Sequence, residues 1–162
     1  MKTLTEPARD LPVVSKYDVA VVGGGIAGVS AALAAARGGA SVCLIEKACG
    51  LGGLATLGNI IVYLPICDGE GHQVIGGIGE ELLQLSAQCN GEVPEVWRTP
   101  QSLKERNGIR YQANFSAPDY MLALEKRLVK AGVDMWYDTL YSDVLINGER
   151  IEAVVVQNKS GR

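Results

Sequence analysis

Three glycines, Gly23, Gly25 and Gly28, stand between an apolar, β-branched stretch and an alanine-rich one, and they constrain this chain more than any other feature. Asp18–Val22 reads as a central parallel strand, because nearly every residue is apolar and both faces can be covered. Ile26–Arg37 reads as a helix whose small residues, Gly28, Ala31, Ala32 and Ala35, let it lie close to a sheet. Gly38 and Gly39 end it where a left-handed cap is cheap for glycine. Ser41–Glu46 reads as a second strand, apolar until its final acid. Tyr17–Lys47 is therefore strand, glycine-rich turn, helix and strand.

Each glycine of G-x-G-x-x-G has its own reason. The first permits the tight turn, the second lets backbone approach a pyrophosphate, and the third allows close helix–strand contact, while the helix N-terminus favours phosphate charge. Glu46 follows about twenty residues later at the end of the second strand, where a carboxylate accepts ribose hydroxyls and repels a 2′-phosphate. Gly23, Gly25, Ile26, Ala27 and Gly28 are thus candidates for the phosphates and Glu46 for the ribose, with Lys47 beside it a further cofactor-binding candidate. A glycine turn that holds no ligand is the plainer alternative, disfavoured because strand, helix and acid occur together. The pocket takes the ADP half of a dinucleotide.

Composition excludes some classes. With 162 residues, 48% apolar, a net charge of −3 and no basic tract, the chain is an ordinary globular one that gives no reason to expect a nucleic-acid partner. The first sixteen residues lack the apolar core of a signal peptide. Leu51–Cys67, the longest apolar tract, is interrupted by Gly52, Gly53, Thr56, Gly58, Asn59 and Pro65 and is no membrane span. Cys43, Cys49, Cys67 and Cys89 have no CxxC spacing, so reduced thiols and a cytoplasmic location are expected.

Residues 1–16 read as a polar leader and 17–162 as one domain. Within it, 60–114 reads as an insertion toward a substrate region, with an apolar run Ile60–Leu64, a loop over 66–77, a helix over Ile78–Cys89 and a polar tract Asn90–Asn114. Ser116, Pro118 and Asp119 open a third helix. Met121, Leu124, Leu128 and Ala131 trace its apolar stripe and Gly132 stops it. Val133–Tyr137 returns as a third strand. Leu140–Ile146 and Ile151–Gln157 flank Asn147-Gly148-Glu149-Arg150, a hairpin signal. A turn at Asn158–Gly161 leads to Arg162, which reads as the end of a truncated product.

YDVAVVGGGIAGVSAALAAARGGASVCLIEK followed by GLGGLATLG resembles the glutathione-reductase-type FAD-binding fold, shared with succinate dehydrogenase and fumarate reductase flavoproteins. GLGGLATLGN, VIGGIGEELL and SAPDYMLALEKRLVKAGVDMWYDT resemble, more narrowly, the bacterial FAD-dependent oxidoreductase family. The resemblance implies an α/β, Rossmann-like three-layer FAD/NAD(P)-binding domain, with a parallel sheet and a β-hairpin or meander, incomplete at its C-terminus. It implies FAD as cofactor, with Gly52, Gly53, Leu54, Ala55 and Thr56 along the pyrophosphate and isoalloxazine, and Val144, within Asp143-Val144-Leu145, near the adenine. Val144 as a core residue is the equal alternative.

Two departures from the family matter. Lys47-Ala48-Cys49-Gly50-Leu51 lacks the histidine of covalent flavoproteins, so FAD would be held noncovalently. The Ala-Thr-Gly-Asp-type strand that closes the site in the family does not occur here. The implied function is the N-terminal FAD-binding portion of an oxidoreductase that transfers hydride through flavin N5, acts on a small-molecule substrate and draws on a separate electron donor or acceptor. An NAD-binding dehydrogenase or regulatory module is one alternative; a catalytically inert nucleotide-binding fragment is another.

The remaining candidates read more plainly. His72 is an exposed loop histidine or a proton-transfer group. Cys49, without a CxxxxC partner, reads as a small packing residue. Gly76 and Gly77 before a helix make an anion site or a tight loop. No group of side chains has metal-ligand spacing.

Overall fold

The computed structural model describes residues 2–5, 7–8, 10–68, 72–89 and 113–161. Its centre is a three-stranded parallel sheet of order β1-β2-β5, formed by β1 (Val19–Val22), β2 (Val42–Ile45) and β5 (Asp134–Trp136). Val19 pairs with Val42 and Val22 with Ile45; Cys43 pairs with Asp134 and Ile45 with Trp136. The crossover from β1 to β2 is α1 (Ile26–Arg37), so the first forty-odd residues supply a βαβ unit as their glycine and alanine pattern requires. β2 is buried along its whole length, which explains why Val-Cys-Leu-Ile carries no alternation.

One apolar core lies on a single face of this sheet. Val42 and Leu44 of β2 meet Val29, Ala32 and Leu33 of α1, Leu82 and Leu85 of α2 (Ile78–Gln88), and Tyr120, Leu124 and Leu128 of α3 (Ala117–Lys130). Full burial of each such side chain contributes about 1.5–3 kcal/mol. Leu124 and Leu128 of the expected stripe are fully buried, and Tyr120 joins them, its ring tilted against that of Phe115 with centroids 4.7 Å apart. An ion-pair bridge closes the helices at the rim. Arg37 of α1 makes a two-pronged pair with Glu81 of α2, 2.8 Å on each prong, and Arg127 of α3 reaches the same carboxylate at 3.2 Å.

On the opposite face of the sheet Ala20 and Val22 are exposed, while Cys43 and Ile45 in the middle strand are buried. Tyr17 reaches across β2 to donate its hydroxyl to Asp134. The hairpin β6 (Leu140–Asn147) and β7 (Arg150–Gln157) forms its own antiparallel sheet, with Asn147 opposite Arg150 across Gly148-Glu149. Gly148 has φ +61°, the left-handed geometry such a two-residue turn needs.

Several expectations needed adjustment. The helix and strand cores stand where expected, with each strand of the parallel sheet trimmed by one residue or so at its ends. Ser116 is the N-cap of α3, yet its side chain makes no capping bond. Ile60–Leu64 is partly β3 (Val62–Tyr63), which pairs antiparallel with β4 (Ala113–Asn114), a small sheet not foreseen from the sequence. Cys49 is exposed rather than packed, because the turn after β2 carries it outward. The reading of the tract Asn90–Asn114 falls, up to residue 112, outside the described residues. The described residues of the leader carry no helix or strand, and all of them are exposed.

Candidate functional site

Two glycine loops dock on each other at the carboxyl ends of β1 and β2. The Gly23 amide still follows the sheet, donating to the Ile45 carbonyl at 2.8 Å, and Gly23 then turns at φ +102°. A Cβ at Gly28 would overlap the Gly23 carbonyl oxygen, so the third glycine is required by the helix–turn contact that the motif predicts. Around Gly25 a Cβ would meet nothing within 4 Å, leaving open space for an approaching ligand. Gly25 is the N-cap of α1, and no side chain caps the helix, so no side chain occupies its first-turn amides at Ile26, Ala27 and Gly28.

The second loop closes against the first. Gly52 bridges to Gly25 in parallel fashion, and its amide donates to the Gly24 carbonyl at 2.8 Å. Gly52 and Gly53 both have positive φ, +97° and +54°, and a Cβ on Gly53 would sit 3.2 Å from the Gly25 Cα. Gly53–Ala55 form a single 3₁₀ turn. Thr56 is buried and commits its hydroxyl to the Leu51 carbonyl, so it shapes the loop from within, while Leu54 is 71% exposed on the outer side.

Glu46 stands behind both loops at 8% exposure. Its carboxylate accepts the Gly24 amide at 2.5 Å and the Ala48 amide at 2.8 Å. Its backbone is held equally firmly: its amide donates to Trp136 and its carbonyl accepts from Thr139, the buried residue that opens the hairpin. Burial first, then the Glu125 carboxylate and last the Glu46 charge push the Tyr137 hydroxyl up to about 12.

Among the residues named from sequence, the structure gathers Gly23, Gly25, Ile26, Ala27, Gly28, Glu46, Gly52, Gly53, Leu54, Ala55 and Thr56 into one place, with Lys47 exposed beside Glu46. Val144 lies elsewhere, on β6 opposite Val154. His72 is exposed on a separate loop, its Nδ1 3.0 Å from the Asp68 carboxylate. The turn at Gly76-Gly77 leads into a helix whose first turn carries Glu80 and Glu81, charges that disfavour an anion there and favour the tight-loop reading. Sequence reasoning missed Gly24 and Gly50. A Cβ at Gly24 would come within 2.7 Å of Leu51 and 3.0 Å of the Glu46 carboxylate, and one at Gly50 would strike the Met121 sulfur. The run of three glycines, 23 to 25, was the available signal for the first; nothing local announces the second.

The loops, the uncapped helix and the acid fit the ADP half of a dinucleotide. The chain matches the family described as FAD dependent oxidoreductase over residues 18–162. It belongs to that family. It is 32% identical over 156 residues to the tRNA uridine 5-carboxymethylaminomethyl modification enzyme MnmG of Dichelobacter nodosus (strain VCS1703A), covering 88% of this chain and 22% of the relative. Among solved structures, L-proline dehydrogenase from P. horikoshii superposes with a TM-score of 0.60 at 15% identity, covering 92% of this chain and 50% of that one. Glycine oxidase from Bacillus cereus ATCC 14579 gives 0.54 at 19%, covering 90% and 54%. As a member of the FAD dependent oxidoreductase family the chain has FAD as its cofactor, and it spans about a fifth of the curated relative and about half of these two enzymes.

Proposed function

We propose that this chain is the ADP-binding portion of a flavoenzyme that holds FAD noncovalently, and that hydride transfer to or from a small-molecule substrate is the reaction of the whole protein. The observation that carries the reading is the docking of two glycine loops at Gly25 and Gly52 in front of a buried acid, the form needed to hold a diphosphate between an uncapped helix and a ribose-facing carboxylate. FAD, when bound, supplies hydride transfer at its N5. The chain's own residues bind and orient: the Gly23–Gly28 turn and α1 take the pyrophosphate, Glu46 the ribose, and Gly52–Ala55 the stretch toward the isoalloxazine. Lys47–Leu51 offers no histidine for covalent attachment.

By this reading the 162 residues alone are inactive and hold FAD weakly, since they surround one end of the cofactor. A separate electron donor or acceptor completes the cycle, and nucleic acid and membrane are not partners. A cytoplasmic setting accords with four free cysteines and with the absence, among the described residues, of a helix long and apolar enough to cross a membrane.

The test is the visible spectrum of the full-length protein. Flavin bands are expected, with all of the colour released to the supernatant on acid precipitation. A protein that stays colourless after reconstitution with FAD and binds NAD instead defeats the proposal. Glu46→Ala should lower FAD affinity more than tenfold, or about 1.4 kcal/mol.

A further inference from the structure

We propose that Glu46 is first a positioning residue: its carboxylate fastens the glycine-rich turn to the end of β2 and so sets the shape in which the turn meets a diphosphate. The assignment goes beyond a ribose contact and applies to the protein without any ligand.

The geometry is specific. Gly23 spends its amide on the β-ladder, at Ile45, and Gly24 is the first residue of the turn whose amide leaves the sheet. That amide goes to one Glu46 oxygen at 2.5 Å, while the Gly24 carbonyl receives Gly52 of the second loop at 2.8 Å. Gly24 is therefore the joint between the two loops, and Glu46 is what holds the joint. The other Glu46 oxygen takes the Ala48 amide at 2.8 Å, which curls the chain back at the start of the second loop. A side chain at Gly24 would occupy the place of this carboxylate and of Leu51, which gives the middle glycine a reason that phosphate contact alone does not supply. At 8% exposure, a carboxylate accepting two backbone amides is a strong, charge-assisted clasp whose removal leaves the buried Gly24 amide and the half-buried Ala48 amide without it.

Amide hydrogen exchange of the ligand-free chain, read by NMR, decides the matter. In Glu46→Ala the Gly24 and Ala48 amides should exchange at least tenfold faster. The Gly23 amide, bonded to Ile45, and the Val29 amide, bonded to Gly25, should keep their rates. Glu46→Gln keeps one acceptor oxygen and should restore one of the two amides, a partial rescue that a general loss of folding would not give. Unchanged exchange at Gly24 and Ala48, or acceleration spread equally over all four amides in both variants, overturns the proposal. In the full-length protein, Glu46→Ala should weaken inorganic pyrophosphate as well as ADP, because the turn itself has lost its shape. A loss confined to ADP makes Glu46 a ribose ligand only and also overturns it. If the wild type binds neither, the nucleotide reading fails, and the exchange rates alone decide the clasp.

Discussion

At the scale of single residues, the glycines carry the most direct predictions. Gly28→Ala places a Cβ on the Gly23 carbonyl, a contact between two backbones that cannot turn aside, and should cost about 2 kcal/mol or more in chemical denaturation. Gly25→Ala meets open space and should leave stability within about 0.5 kcal/mol while weakening FAD. The contrast separates a fold-bearing glycine from a ligand-facing one. Cysteine reactivity gives a second check. Burial pushes the Cys43 thiol up to about 11, whereas Cys49 is exposed, so a thiol reagent at pH 8 should modify Cys49 in the native protein and Cys43 only after unfolding. The gathering of Gly23, Gly25, Gly28 and Glu46 at one turn was legible in the sequence because their spacing along the chain is the spacing the turn imposes. Gly24, Gly50 and the exposure of Cys49 were not, since each depends on a neighbour reached only through space: Leu51, Met121 and the outward turn after β2.

At the scale of elements, the three helices are joined at their rim by one carboxylate. The Arg37 guanidinium holds the Glu81 carboxyl below its ordinary range, with Arg127 adding to the same effect. A carboxylate whose folded pKa is lowered stabilises the protein above its unfolded pKa and loses that contribution as pH falls through the folded value. Glu81→Gln should therefore destabilise the protein at neutral pH, by about 1 kcal/mol for a half-exposed network, and the difference from wild type should shrink in acid as pH falls through the lowered folded value. Thermal denaturation at neutral pH and in acid checks it. Most elements were legible because α1, α2 and α3 repeat apolar residues at helical spacing and β2 is an uninterrupted apolar run. The β3–β4 pair was not. Two residues on each side leave no periodicity, and Val62 finds Asn114 half a hundred positions away.

At the scale of the whole molecule, apolar surface is concentrated outside the core. Leu145, Ile146 and Ile151 on the hairpin are 51%, 60% and 66% exposed, and Val22 on the open face of the sheet is 51% exposed. The isolated chain should associate at high concentration, and Ile146→Lys with Ile151→Lys should shift its sedimentation toward the monomer. The architecture was legible because its sheet begins with a local unit. Its third strand was legible at Val133–Tyr137, but not the neighbour it takes, since no sequence signal says which edge of the sheet it joins. That same arrangement dictates a time course. Val19 meets Val42 across a short helical crossover, whereas Cys43 must wait for Asp134, some ninety positions later, and the longer loop closes more slowly. The glycine-rich turn can thus form before the sheet is finished, and Trp136, which receives the Glu46 amide, arrives as its last support. Weakening β5 should then speed unfolding far more than it slows folding.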